Sequence, residues 1–436
     1  MNTSSAITRA RPDTHPMIPS PLDSFDPAVR RQALADLCAR PQWPQPTHAV
    51  NLHAHTFFSY NVYRYSPTHF AVLARERGLA VAGIVDFDVL DGLEEFHAAG
   101  RRLGLKTVVS IESRVFVPEF ATRVINSPGE PGIAYHLGVG FTRVPPHPML
   151  TQMRATAAER NRALVARVNR LTAPVTLDYD RDVLPLTPAG NATERHICEA
   201  YAQRGGSEFW RQKLGDWPAG EAQRQALIRA KTMKQGGAGY IAPDAGSFPR
   251  LEQMNRFVRE AGAIPTIAWL DGRSEGERAL EEWLRATMST GATGLAIIPD
   301  RNYTPGVRDQ KLQNLHDVIA LAERLGLPVF VGTEMNAPGN KFVDDFDSRE
   351  LTPFGPVFLK GAHIAYAHTA LERHARLGYG SDWARTHFPD LHARNEFYRE
   401  LGARLDPPHE DLLRDVTGQS RPAQILDLIK AKEPIP

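Results

Sequence analysis

The chain predicts an α/β fold: a distorted barrel of seven strands alternating with helices, extended by a helical insertion and a helical C-terminal segment. Three observations predict it. Seven short apolar runs read as strands, at 49–52, 81–85, 107–111, 134–139, 263–268, 294–298 and 328–331. Helical stretches separate most of them, a pattern that implies parallel strands buried on both faces. His, Asp and Glu gather at the ends of these runs, and parallel α/β folds place their chemistry at the carboxyl ends of strands. Seven strands suit a closed or nearly closed barrel better than an open doubly wound sheet, which stays the alternative.

Taken in order, residues 1–45 are rich in Pro and polar groups, with one helix expected over 27–39, and read as an arm. The barrel is assigned to 46–345. Its first strand ends in His53-Ala54-His55, two imidazoles on one face because a strand has a side-chain period of two. Ser66-Pro67 opens a helix with a cap and a proline at its first position, and Asp91 is expected to cap the next, which ends near Gly104. The second strand ends in Asp86-Phe87-Asp88 and the third in Glu112; the fourth carries His136 at its start. A helical insertion is assigned to 145–245, with helices over 150–171 and 221–235. Ser247 and Ser274 are expected to begin later helices. The fifth strand runs into Trp269-Leu270-Asp271, and the seventh, after a helix over 309–325, into Gly332-Thr333-Glu334. Residues 346–436 form the C-terminal extension, whose His363, His368, His374, His387 and His392 are expected on exposed helix faces.

Composition narrows the class. With 436 residues, 42% apolar and 23% charged, the chain is of globular type. A formal net charge of +1 supplies no field that would draw it to nucleic acid or a membrane surface. No stretch of about 18 apolar residues suggests a membrane span. The start lacks the apolar core of a secretory signal, and Cys38 and Cys198 stand far apart, outside any metal spacing. A cytoplasmic location and a small-molecule partner, without nucleic acid, are expected; the oligomeric state is not readable.

Imidazole and carboxylate groups at several strand ends can converge on one point over a barrel mouth, as a divalent metal site requires. The residues in this order resemble the polymerase and histidinol phosphatase (PHP) family of metal-dependent hydrolases. The motif His53-Ala54-His55-Thr56-Phe57-Phe58-Ser59 matches that family's first, Asp86-Phe87-Asp88 part of its second, Ser110-Ile111-Glu112 its third and His136-Leu137-Gly138 its fourth. Glu194-Arg195-His196-Ile197 and Gly239-Tyr240-Ile241-Ala242-Pro243 resemble the insertion of its phosphoesterase branch. The likeness runs over about 49–340.

The departures are as informative. Asn61, Phe87, Trp269 and Asn336 stand where the family usually has His. The resemblance therefore implies a reduced ligand set: His53, His55, Glu112 and Glu334 around one ion, with Glu112 and His136, completed by Asp271 or water, for a second. Glu334 competes with a literal match at Gly380-Ser381-Asp382, which follows a helical stretch instead of a strand. The implied cofactor is Mn, Fe or Zn, one or two ions per chain. Asp86 or Asp88 would take a proton or orient the attacking water, and Asp86 has the alternatives of ligating a metal itself or supporting a ligating imidazole. Arg114, Arg195 and His196 would hold a phosphate. The implied activity is hydrolysis of a small phosphoester. The alternatives are hydrolysis of an amide or other non-phosphate bond, and a ligand-binding relative without catalysis.

Overall fold

The computed structural model describes residues 20–39, 43–243 and 246–430. Its sheet has seven strands in sequence order: β1 (Val50–Ala54), β2 (Val81–Phe87), β3 (Thr107–Phe116), β4 (Ile133–Val139), β5 (Ile264–Trp269), β6 (Gly294–Ile297) and β7 (Val329–Val331). The ends meet at the mouth, where Glu334 N donates to His53 O at 2.7 Å and His55 N to Glu334 O at 2.9 Å. The result is a nearly closed barrel, as the alternation of strands and helices implied.

One strand breaks the expected pattern. β4 runs antiparallel to both β3 and β5, while the other pairs are parallel. A parallel connection needs a crossover of a dozen or more residues, usually a helix. Only a loop with a short 3-10 turn, Pro118–Phe120, links β3 to β4, so the chain folds back alongside β3.

The helices are α1 (Pro27–Cys38), α2 (Pro67–Glu76), α3 (Leu93–Leu103), α4 (Pro148–Thr172), α5 (Glu194–Arg204), α6 (Ser207–Leu214), α7 (Glu221–Thr232), α8 (Leu251–Glu260), α9 (Glu275–Arg278), α10 (Leu280–Ser289), α11 (Arg308–Leu325), α12 (Gly355–Ala375), α13 (Asp382–His387), α14 (Leu391–Arg404) and α15 (Pro422–Lys430). Ser66 and Ser274 cap α2 and α9 as expected. Asp91 does not cap α3; it pairs with Arg154, and Gly92 holds the cap position without a side-chain bond. Ser247 does not begin α8, whose cap position is Arg250.

The reversal of β4 explains the insertion. β4 ends at the closed end of the barrel, and α4 then climbs 25 residues, about 37 Å at 1.5 Å per residue, to the mouth. There α5, α6 and α7 pack around a small apolar core of their own that includes Ile197, Tyr201, Trp210 and Ile228. This group roofs the barrel. Asn191 donates to the Phe58 and Phe87 carbonyls at 3.1 and 2.9 Å, Tyr60 donates to Gln225 Oε1 at 2.8 Å, and Arg64 pairs with Glu199.

The opposite end is plugged by α12, most of whose residues from Phe358 to Glu372 are buried. Here the expected exposure of the tail histidines holds only in part. His387 and His392 are exposed and His363 and His374 half-buried, but His368 is fully buried. Its Nε2 lies 3.1 Å from Gly140 O and its Nδ1 accepts from Tyr379 N at 2.9 Å, bonds that tie the extension to the end of β4.

Candidate metal centre

His53 lies near the end of β1 and His55 directly follows it, and the period of two sends both imidazoles to the barrel interior. Glu112 reaches the same point from β3, where it stands in register with Phe87 of β2. Glu112 Oε2 lies 3.1 Å from His55 Nε2 and 3.5 Å from His53 Nε2, and all three side chains are buried. One donor atom from each lies within 4.8 Å of the others.

The far side of His55 decides what this contact means. Ser59 Oγ donates to Asp86 Oδ1 at 2.6 Å, so its oxygen is left to accept from His55 Nδ1–H at 3.0 Å. The network thus assigns the proton to Nδ1 and leaves a lone pair on Nε2 facing the Glu112 carboxylate. Two buried lone pairs at 3.1 Å repel unless a second proton on Nε2 or a metal ion stands between them. Neither of these atoms has a hydrogen-bond partner among the described residues, and both nitrogens of His53 are likewise unpartnered. Two imidazoles and a carboxylate oxygen suit Mn, Fe or Zn. The residues present fit a divalent ion.

The electrostatics favour positive charge at this point, whether a second proton on Nε2 or a metal ion supplies it. Burial opposes charge on His55, but the Glu112 carboxylate, with Glu334 and Asp86 behind it, outweighs burial and raises its pKa. Burial pushes Glu112 upward, and the two imidazoles more than offset this and lower it.

The remaining expected residues divide. Glu334 lies close enough for Arg301, His53 and His55 to hold its carboxyl well below the usual range against burial, yet its oxygens are engaged elsewhere. Oε1 accepts from Arg301 at 2.6 Å and Oε2 from Asn336 at 2.7 Å. His136 is not with the centre. In the antiparallel register Tyr135 pairs with Arg114 and lines the cavity, so the next residue leaves the opposite face. There His136 Nε2 meets Asn255 Oδ1 of α8 at 2.7 Å, and burial lowers its pKa to about 4. Asp271 is engaged with Lys311 at 2.8 Å, and Asn61 donates to His55 O at 2.8 Å. The competing Gly380-Ser381-Asp382 opens α13, with Ser381 as its cap.

Asp86 does not line the cavity: it is buried and its oxygens take bonds from Thr56 N, Thr56 Oγ1 and Ser59 Oγ. Asp88 does line the cavity, bonded by Ser113 Oγ at 2.7 Å, and burial raises its pKa. His196 caps α5 through Thr193 N at 3.1 Å and packs edge-on against Tyr60, which explains its absence from the cavity wall. Arg114 and Arg195 do reach that wall.

Four cations escaped the sequence reading: Arg160 of α4, Arg229 of α7, Lys234 and Arg301 also line the cavity. Arg229 and Lys234 share Glu194, each at 2.9 Å, and against the effect of burial they hold its pKa at about 2. Arg114 pairs with Glu130 at 2.9 Å. Arg160 and Arg195 show no carboxylate partner among the described residues, and burial lowers the pKa of both. Phe87 stacks on His55 with ring centroids 4.5 Å apart, and buried Trp269 forms another part of the wall. Backbone strain gathers here as well. Tyr60, Asp88, Glu334 and Met335 all have left-handed φ, between +56° and +124°, at about 1–3 kcal/mol each.

No family model and no curated protein matches the chain. Solved structures do. One, from Bifidobacterium adolescentis and named as a candidate metal-dependent phosphoesterase, aligns at 21% identity and a TM-score of 0.51, covering 71% of this chain and 97% of its own. Another, an amidohydrolase from Chromobacterium violaceum with bound sulfate and no metal, aligns at 20% identity and a TM-score of 0.49, covering 67% and 88%. At this identity the likeness is one of fold.

Proposed function

We propose that the protein is a metal-dependent hydrolase of a small phosphoester. One observation carries the reading: the unpartnered donors of His53, His55 and Glu112 converge at a cavity lined by Arg160 and Arg195, which form no ion pair among the described residues. A bound divalent ion supplies an acidified water and a Lewis acid for a phosphoryl oxygen. The chain's own residues do the rest. His53, His55 and Glu112 hold the ion. Ser59 and Asp86 orient His55. Arg160 and Arg195 neutralise the phosphate, for which a planar guanidinium pairs two oxygens at once. Asp88, whose carboxyl retains its proton to higher pH than usual, stands at the wall to protonate the leaving oxygen. The roof of α5, α6 and α7 favours a small substrate over a polymer.

An amide substrate would leave Arg160 and Arg195 without a role, so the phosphoester reading is preferred. The name of the Bifidobacterium structure points the same way. The test is a panel of phosphomonoesters, phosphodiesters and amides with Mn²⁺, Fe²⁺ or Zn²⁺, alongside metal analysis. Turnover of a phosphoester is expected, with loss of both metal and activity in His53→Ala. Turnover of amides alone overturns the choice of bond. Absence of metal binding overturns the hydrolase.

A further inference from the structure

We propose that Arg301 is a catalytic residue that contacts an anionic oxygen of the substrate beside the metal centre, and that Glu334 is its positioning residue. The inference rests on the reading that an anionic ester is hydrolysed at this centre.

Glu334 joins two parts of the site. Its main chain is paired on both sides with β1, through Glu334 N to His53 O and His55 N to Glu334 O, so its Cα is fixed relative to both imidazoles. Its side chain is spent on Arg301 and Asn336. To point it there the chain takes left-handed φ at two successive non-glycine residues, Glu334 at +66° and Met335 at +56°. A turn needed only to end β7 would favour glycine at such a position. Here the backbone keeps a carboxylate whose oxygens serve a guanidinium and an amide.

Arg301 is held from its other end too. It lies in the 3-10 turn Pro299–Tyr303 after β6, and its carbonyl accepts from the Lys311 ammonium at 3.0 Å. Lys311 is buried and also binds Thr304 and Asp271. A guanidinium has five N–H donors. One is given to Glu334, and no other bond from this side chain to a described residue is present, while the residue lines the cavity.

The role differs from that of Arg160 and Arg195. Those form no ion pair among the described residues and attract an anion by their charge. Arg301 and Glu334 form a neutral pair, so Arg301 adds little long-range attraction. What it adds is a set of fixed donors whose interaction strengthens as charge gathers on a reacting oxygen. In hydrolysis the water oxygen bonds to phosphorus, the ester P–O bond breaks, and the two hydrogens of water end on the two products. Arg301 donates hydrogen bonds throughout and gives up no proton.

The test compares wild type, Arg301→Lys, Arg301→Ala and Glu334→Gln for metal content, kcat and KM on the best phosphoester, and binding of inorganic vanadate to the metal-loaded protein. Expected are unchanged metal content, a kcat lower by about a hundred- to a thousandfold in Arg301→Ala with KM changed far less, partial recovery on adding guanidinium, and an intermediate loss in Arg301→Lys and Glu334→Gln. A kcat within threefold of wild type in Arg301→Ala overturns the inference and leaves the phosphoester reading standing. Loss of metal from Arg301→Ala also overturns it, because the residue would then serve the ion. If wild type cleaves no phosphoester, that reading fails by itself and vanadate decides the inference: weakened binding in Arg301→Ala retains Arg301 as an oxyanion contact, and unchanged binding removes it.

Discussion

The contact between His55 Nε2 and Glu112 Oε2 depends on a serine hydroxyl. With its proton committed to Asp86, Ser59 can only accept from His55, and Asp86 is itself fixed by two bonds from Thr56. Ser59→Ala should therefore leave the fold intact and weaken metal binding by about 10- to 100-fold, the usual effect of removing a group that orients a ligand. A chelator competition titration measures this, and an affinity equal to wild type would deny the relay its role. A second buried carboxylate shows a different chemistry. Both oxygens of Asp344 are buried without a hydrogen-bond partner among the described residues, and burial, with the Asp300 charge beside it, pushes its pKa up to about 7. The folded state thus favours the neutral carboxyl. That stabilisation is full below the ordinary value of 3.8 and is lost as pH rises toward 7. Asp344→Asn, neutral at every pH, should gain stability relative to wild type between pH 4 and pH 7, by about 1.4 kcal/mol per unit at most, and gain nothing further above. Urea melts of both proteins at pH 5, 6, 7 and 8 check the sign and the plateau.

At the scale of elements, α4 and α12 set the two ends of the barrel. α4 delivers Arg160 to the cavity and starts the group that brings Arg195, Arg229 and Lys234 over the mouth. Arg160→Ala and Arg195→Ala should each raise KM for an anionic substrate by about tenfold or more, the worth of a charged hydrogen bond, with a smaller change in kcat. Equal falls in kcat and kcat/KM would instead assign them to the transition state. α12 seals the closed end by close approach: a Cβ on Gly361 would collide with the Val329 carbonyl at the start of β7. Gly361→Ala should cost about 1–3 kcal/mol, since an overpacked backbone contact forces the helix off the sheet. A denaturation midpoint equal to wild type would show that α12 can shift at no cost.

Across the whole molecule, what could be read early is what is encoded locally. The period of two placed His53 and His55 on one face without knowledge of any other strand, and Glu112 followed from the end of its own apolar run. The direction of β4 was not local. Nothing within Ile133–Val139 says which way it runs; the missing helix over 117–132 decides it. His136 was misplaced because one residue of register moves a side chain through the sheet, and only the pairing of Tyr135 with Arg114 fixes that register. Arg160, Arg229, Lys234 and Arg301 were silent because an arginine or lysine in a helix or turn reads the same whether it meets water or a cavity. Their shared target exists only once the insertion is folded over the mouth. This division predicts how the molecule answers to its ion. The apolar core of the barrel spans the strands, α2, α3, α8, α11, α12 and the tail helices, and none of its members is a residue of the centre. The protein should therefore stay folded when stripped of metal. An ion held by His53, His55 and Glu112 would bind only the native state, which alone brings them together, so at a free concentration of 100 times Kd it should add about 2.7 kcal/mol. His53→Ala should lose that increment, while Gly361→Ala, whose defect lies at the far end, should keep it on a lower baseline. Thermal melts of the three proteins with and without Mn²⁺ or Zn²⁺ measure it. Unfolding of wild type by chelator alone would make the ion part of the fold, and an equal metal response in His53→Ala would move the binding site elsewhere.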